Sequence, residues 1–345
     1  MGEKFVYRLE ELGREESRLV GGKSANLGEM LRLGVPVPPG FAISSAAYRR
    51  FAEVTGLLDE VSRYVGGLGE LKEVAQFEDA SHALRQMVRE KEIPEDVAAE
   101  VALAYRELCA KTGISEMPVA VRSSGLTEDS VAASYAGQFE SYLNVKGEEE
   151  LLEKVKEVWS SAFTSRVLAY RMRKGMPLFE EMGVCVLKMV KARSAGIAFT
   201  ADPNTGDRTK VIVEANWGLG ESVVSGRVTP DRWVMEKERL QIVERTLGAK
   251  EKVVVFMEKG VREEEAPPAK RSAFSLKDEE VREIGRFAKV LEEHYGTPQD
   301  AEWAIDEELD FPRGLFFLQT RPVIISKRDP TDRAIDLMLK RFIYG

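Results

Sequence analysis

Gly21-Gly22-Lys23-Ser24 sets a glycine pair ahead of a lysine at a helix start, where backbone amides can approach an anion and the lysine adds charge. The full phosphate-loop pattern is not met, because its first glycine should stand five residues before Gly22 and Ser17 is there. A capped helix with an exposed lysine satisfies the same residues. A second constellation runs Arg122-Ser-Ser-Gly-Leu-Thr-Glu-Asp-Ser130 and on through Ser134-Tyr-Ala-Gly137-Gln138. An arginine at a strand end, followed by small hydroxyl residues and glycines, can clamp a phosphate and close over it as a lid. A serine-rich surface turn has the same composition.

In Glu214-Ala-Asn-Trp-Gly218-Leu-Gly220-Glu221 a carboxylate ends a β run just before a glycine turn. Such a carboxylate can accept hydrogen bonds from ribose hydroxyls, and an ordinary strand exit reads alike. The fourth constellation lies on a terminal hairpin. Strand alternation puts Glu302 and Ala304 on one face with Trp303 and Ile305 on the other, and gives Gln319 and Arg321 the face of Leu315 and Phe317. With in-register pairing Glu302 and Gln319 converge, and a carboxylate beside an amide oxygen suits Mg²⁺, which takes one or two protein oxygens plus phosphates and water. Arg321 alongside could take phosphate charge. The polar face of a solvated sheet gives the same pattern. The two histidines, His82 and His294, sit on helices away from these loops and read as structural, His294 near a helix C-terminus where a cation is favoured.

The elements that must position these residues change character along the chain. Helices are expected over Ser24 to Leu33, from near Ser44, from Asp79 to Glu90, and from Pro94 to Lys111, the last ended by Gly113. The prolines of 35–40 force an extended segment between the first two. Pro118 to Arg122 reads as a strand entering a loop over Ser123 to Gln138, and Phe139 to Val145 returns as a strand. A helix over Glu149 to Arg173 and a buried strand over Gly183 to Val190 follow. Beyond them come strands at Ala195 to Thr200, Lys210 to Ala215, Asp231 to Glu236 and Lys252 to Met257. An exposed loop spans Val261 to Arg271, and Ser275-Leu-Lys-Asp278 reads as a capping box opening a helix to Tyr295. The hairpin pairs Ala301 to Asp306 with Leu315 to Val323. Helix dominates before residue 190 and strand after it, which places a boundary there.

The chain has 345 residues, 50 Lys plus Arg against 58 Asp plus Glu, and a net charge of -8. At roughly 150 residues per domain this allows about two domains. With 43% hydrophobic and 31% charged residues, disorder and collagen-like repeats are excluded. No apolar run approaches the roughly 20 residues of a bilayer span. The start, MGEKFVYRLEELG, has charge where a signal peptide needs an apolar core, so a cytoplasmic location is the default expectation. Cys109 and Cys185 lack zinc-site spacing. The acidic balance and the lack of a basic block speak against a nucleic-acid partner.

Taken together, the stretches resemble the ATP-binding region of phosphoenolpyruvate synthase and pyruvate phosphate dikinase. The matching text includes Val20-Gly-Gly-Lys23-Ser-Ala-Asn-Leu-Gly28, Pro38-Pro-Gly40-Phe, Val121-Arg-Ser-Ser124, Glu128-Asp129, Ala136-Gly137-Gln138 and Gly196-Ile-Ala-Phe-Thr200-Ala-Asp-Pro-Asn-Thr-Gly206. It continues with Glu214-Ala-Asn-Trp-Gly-Leu-Gly-Glu221, Val224-Ser-Gly226, Thr229-Pro-Asp231, Glu302-Trp303 and Gln319-Thr-Arg-Pro322, in the family's order. The resemblance implies an α+β, ATP-grasp fold holding ATP between an N-terminal lobe over 1–190, with a helical insertion and a phosphate lid, and a C-terminal lobe over 191–345. It implies Lys23, Arg122 and Arg321 as phosphate ligands with catalytic roles, the loop at Gly137 and Gln138 as lid, and Lys188, Met189 and Val190 as adenine hinge. Glu214 becomes a ribose ligand, and Glu302 and Gln319 become Mg²⁺ ligands. Lys188 departs from the family's usual glutamine, and Ala195 from a common serine. Members cleave ATP to AMP and phosphate and phosphorylate a histidine on a separate swivelling domain. No such histidine segment is present here, so a histidine-bearing partner chain or domain is expected, in the manner of the ATP-binding subunit of phenylphosphate synthase, with phenol or pyruvate as acceptor. A rifampicin phosphotransferase-like enzyme and a non-catalytic ATP-binding regulator are the alternatives.

Overall fold

The computed structural model describes residues 3–69, 71–126 and 140–324. By its contacts the chain divides into two compact units. The first takes residues to Lys191 together with Val254–Glu264 and Phe316–Gln319; the second takes Ala192–Val253, Glu265–Leu315 and the chain from Thr320. Both mix helix with antiparallel sheet, so the fold class is α+β.

In the first unit, strands β1 (Val6–Arg8), β2 (Gly40–Ile43), β3 (Val119–Gly125), β4 (Ser141–Val145) and β5 (Met182–Lys188) form a sheet of order β1-β2-β5-β3-β4. Every neighbouring pair is antiparallel. Helices α1 (Ser17–Val20), α2 (Gly22–Arg32), α3 (Ser45–Val54), α4 (Leu57–Gly67), α5 (Val74–Glu90), α6 (Glu95–Thr112), α7 (Glu148–Ser160) and α8 (Ser165–Lys174) accompany it. Alternate residues Val119, Val121, Val184 and Val186 enter one core with the helices, where the ring of Tyr48 stacks on Trp159 at 5.2 Å. Burying aromatic rings of this size contributes most of what holds a helical layer to a sheet. Gly113 ends α6 with φ 74°, a left-handed C-cap that glycine adopts without strain.

In the second unit, β6 (Ala192–Phe199), β7 (Lys210–Trp217), β8 (Asp231–Glu236), β9 (Gln241–Thr246), β12 (Gln299–Asp306) and β13 (Leu315–Pro322) form a sheet of order β13-β12-β6-β7-β8-β9. β10 (Lys252–Phe256) and β11 (Val261–Glu265), most of whose residues belong to the first unit, pair with each other. Helices α9 (Glu221–Val224), α10 (Pro268–Arg271) and α11 (Asp278–Tyr295) complete the set. The apolar stripe Val281, Ile284, Ala288 and Leu291 of α11 is fully buried, and α11 packs on β6, β7, β9 and β12. A buried ion pair stands at the start of β8. Lys250 Nζ lies 2.6 Å from Asp231 Oδ1, and both side chains are fully buried. Asp231 also accepts the Gly248 and Ser275 amides and the Ser275 hydroxyl, while Lys250 donates to the Gly248 and Arg271 carbonyls. With all of these bonds made, the desolvation of both charges is offset.

Several expectations need correction. The strand after Pro118 continues through Ser123 and Ser124 to Gly125, because these residues pair with Val184, Gly183 and Met182 of β5. The single helix expected over Glu149 to Arg173 is two, separated by a tight turn at Ser161–Phe163 and by Thr164 in an extended conformation. The expected loop from Val261 to Arg271 holds β11 and α10. Ser275 does not cap α11: its hydroxyl is committed to Asp231, and the helix opens at Asp278 with the Lys277 amide donated to Glu280 at 2.8 Å. On β13 the buried residues are Leu315, Phe317 and then Thr320, so Gln319 and Arg321 leave the buried phase of Leu315 and Phe317.

Candidate functional site

In the first unit the site is built where α2 begins against the end of β3. Gly21 has φ +80°, and a Cβ there would lie 2.0 Å from the Ser124 carbonyl oxygen. Only glycine permits this approach. The Ser24 amide donates to Ser124 Oγ at 3.1 Å, and Lys23 Nζ donates to the Ser123 carbonyl at 3.1 Å. Gly21 therefore seats a helix on a strand. What that seating fixes is Lys23.

Arg122, half-buried on β3, donates to the Leu318 carbonyl at 3.2 Å and to Gln319 Oε1 at 2.9 Å. Lys23, Arg122 and Gln319, far apart in sequence, thus belong to one unit, with Lys23 and Arg122 on adjoining elements. Cys185 stands opposite Arg122 on β5. Burial pushes its thiol up to about 11, while the charges of Arg122 and Lys23 pull the other way. Ser123 Oγ is buried with no hydrogen-bond partner among the described residues. Two cations and an amide make a surface suited to phosphate oxygens.

Lys188 ends β5, and Met189 and Val190 follow it, both buried. The Lys188 amide is donated to Pro39 O at 2.8 Å and the Met189 amide to Pro118 O at 2.9 Å. Alternation along β5 gives Cys185 and Leu187 one face, and Lys188 the face of Val184 and Val186, which enter the helical core. Gly137 and Gln138, with Glu128 and Asp129, lie outside the described residues.

In the second unit one row of the sheet carries the polar groups. Glu302 on β12 is opposite Ile197 on β6, Ile197 opposite Glu214 on β7, and Glu214 opposite Arg232 on β8. Directly opposed residues share a face. Asp300, two residues from Glu302, shares it too, and accepts from Arg321 Nε at 2.8 Å. A cavity of about 360 Å³ opens on this face, walled by Ile197, Phe199 and Val223 and edged by Glu214, Asp300 and Arg321. Burial raises the Glu214 carboxyl above its ordinary range; Arg232 opposes that shift, and Asp202 and Asp300 add to it. The Asp300 carboxyl is also raised, by burial first and by the charge of Glu302, with Arg321 acting against both. Crowded carboxylates of this kind favour a cation among them. Glu302 is an oxygen ligand of the type that Mg²⁺ shares with nucleotide phosphates and water. No cluster of three or more metal-ligating side chains occurs among the described residues.

Asp300, Arg232 and Asp202 were not singled out from sequence. Asp300 was open to discovery, since Asp300-Ala-Glu302 spacing on a strand puts two carboxylates on one face. Arg232 could not be found that way, because its relation to Glu214 exists only in the register of β7 and β8.

The family described as pyruvate phosphate dikinase, AMP/ATP-binding domain, matches residues 17–340. The probable phosphoenolpyruvate synthase of Staphylothermus marinus is 40% identical over 342 residues, covering 92% of this chain and 41% of that protein. The phosphoenolpyruvate synthase of Aeropyrum pernix is 39% identical, covering 95% and 43%. The probable phosphoenolpyruvate synthase of Methanocaldococcus jannaschii is 38% identical, covering 96% and 27%. The chain thus spans less than half the length of these relatives. No helix among the described residues is long and apolar enough to cross a membrane.

Proposed function

Because the chain belongs to the family of the pyruvate phosphate dikinase AMP/ATP-binding domain, we propose that it has the ATP-grasp fold and is the ATP-binding part of a phosphoenolpyruvate synthase-type phosphotransferase. The pyrophosphoryl group of ATP passes to a histidine on a partner chain or domain, breaking the α–β phosphoanhydride and releasing AMP, and water then removes the terminal phosphate to leave phosphohistidine. The relatives' additional length and their names support a histidine-bearing partner and pyruvate as acceptor. The observation that carries the reading is the gathering of Lys23, Arg122 and Gln319 in one unit.

Transfer of a pyrophosphoryl group spreads negative charge over phosphate oxygens, so positioned cations supply most of what catalysis needs. Lys23 and Arg122 are phosphate ligands. Arg321, oriented by Asp300, is a further phosphate ligand. Glu214 accepts from the ribose hydroxyls, and Lys188, Met189 and Val190 border the adenine. Glu302 and Gln319 would each offer an oxygen to Mg²⁺, which would neutralise phosphate charge. No nucleophile of this chain takes part.

The test is to mix the chain with ATP and Mg²⁺, with and without a histidine-bearing partner, following AMP, ADP and phosphohistidine. AMP with phosphohistidine only in the presence of the partner is the expected result. ADP as product would overturn the dikinase reading, and nucleotide binding without turnover in any mixture would favour a regulatory ATP-binding protein.

A further inference from the structure

Arg232 lies among three carboxylates of the second unit: 3.7 Å from Asp202, 4.0 Å from Glu214 and 3.7 Å from Glu244. Its place is fixed from two sides. On the sheet, β8 sets Arg232 directly opposite Glu214 in register and beside β9, which carries Glu244. From the loop, Asp202 is itself held, because its Oδ1 accepts the amides of Asn204 and Thr205 at 2.8 and 3.2 Å. Glu214 edges the cavity that also holds Asp300 and Arg321.

We propose that Arg232 is a positioning residue, which holds the Glu214 carboxylate ionised and aimed at the ribose and thereby sets the preference for nucleotides with an intact ribose diol. The inference rests on the reading of Glu214 as the ribose-binding group. A carboxylate accepts hydrogen bonds from two hydroxyls only when ionised. Glu214 is disfavoured in that state by burial and by Asp202 and Asp300, and Arg232 is the group whose charge opposes them. Arg232 has little freedom to act as a phosphate ligand itself, since leaving its place would uncover three acids at once. A lysine retains the charge but not the fork that reaches several carboxylates together.

The experiment measures equilibrium binding of ATP, 2′-deoxyATP and 3′-deoxyATP to the full chain and four variants, with thermal unfolding of each as a control. The wild type should prefer ATP over at least one deoxy analogue by roughly ten- to a hundredfold, the range of a hydrogen bond to a charged group. Arg232→Met should reduce that preference to within about threefold while Arg232→Lys keeps most of it. If Arg232→Met does not fold, Arg232→Gln, which removes the charge while keeping a polar side chain, should lower the same ratio. Glu214→Gln separates the two claims. A ratio lost in Glu214→Gln but kept in Arg232→Met and Arg232→Gln overturns the role of Arg232 alone. A wild type indifferent to the ribose hydroxyls, or a Glu214→Gln variant with the wild-type ratio, overturns the ribose reading and the inference with it.

Discussion

Gly21→Ala tests whether the start of α2, and with it Lys23, is seated on β3 as described. Gly21 has φ 80° and ψ 162°, a region essentially reserved for glycine, where another residue costs about 1–3 kcal/mol. The added Cβ would also lie 2.0 Å from the Ser124 carbonyl oxygen and 2.4 Å from its carbon, backbone atoms that cannot swing aside. Such overpacking costs about 1–3 kcal/mol more. Together the substitution should destabilise the first unit by about 2–6 kcal/mol, a Tm drop of roughly 2–4 °C per kcal/mol for a unit of this size. The control is Gly66→Ala in α4, where the added Cβ meets nothing within 4 Å. Helix propensity there predicts a gain of about 0.5–1 kcal/mol. Thermal and denaturant unfolding of both variants give the comparison. Equal stability of Gly21→Ala and Gly66→Ala would refute the close seating of α2 on β3.

Lys250→Met leaves the Asp231 charge buried without its cation and should cost about 3–5 kcal/mol, read as a lower denaturation midpoint with unchanged slope. Glu214→Gln should stabilise the chain near neutral pH. A carboxyl whose folded pKa is raised costs stability above that pKa, and the cost fades as pH falls through it toward the ordinary glutamate range, so the gain should vanish in acid. The same variant should bind ATP more weakly, and equal Tm values for it and the wild type at pH 7 and pH 4 would contradict the raised carboxyl. Arg321→Ala should lower phosphotransfer at least tenfold while leaving Tm within a few degrees, since Arg321 is one-third exposed and its pairing with Asp300 contributes modestly to stability. Both cysteines are buried, and the Cys185 thiol is pushed up to about 11, so alkylation at pH 8 should follow unfolding; rapid modification of the native chain would contradict that burial.

What could be read from the sequence was what local chemistry dictates. The prolines of 35–40 enforce extension, Gly113 stops a helix, and β8 begins and ends at the expected residues because the apolar run Trp233-Val-Met235 is bounded by charged residues. β2 escaped notice because Gly40–Ile43 follows the proline run and has too few residues to show a period. β11 reads Val-Arg-Glu-Glu-Glu, a pattern of exposed loop, and is a strand only because β10 supplies its ladder. Ser275 resembled a cap until Asp231, 44 positions away, claimed its hydroxyl. The site shows the same division. Strand alternation put Glu302 opposite the phase of Trp303, and Trp303 is fully buried. The bond between Arg122 and Gln319 spans 197 positions, and that between Arg321 and Asp300 requires two strands in a register that neither segment encodes alone.

The most direct test of the central claim is equilibrium binding of ATP with Mg²⁺ to the chain, compared with Lys23→Ala, Arg122→Ala and Glu302→Ala. Saturable binding at one site, weakened at least tenfold by each phosphate-ligand substitution and made less dependent on Mg²⁺ by Glu302→Ala, is the predicted result. Absence of ATP binding to the folded wild-type chain, or binding indifferent to all three substitutions, would contradict the account.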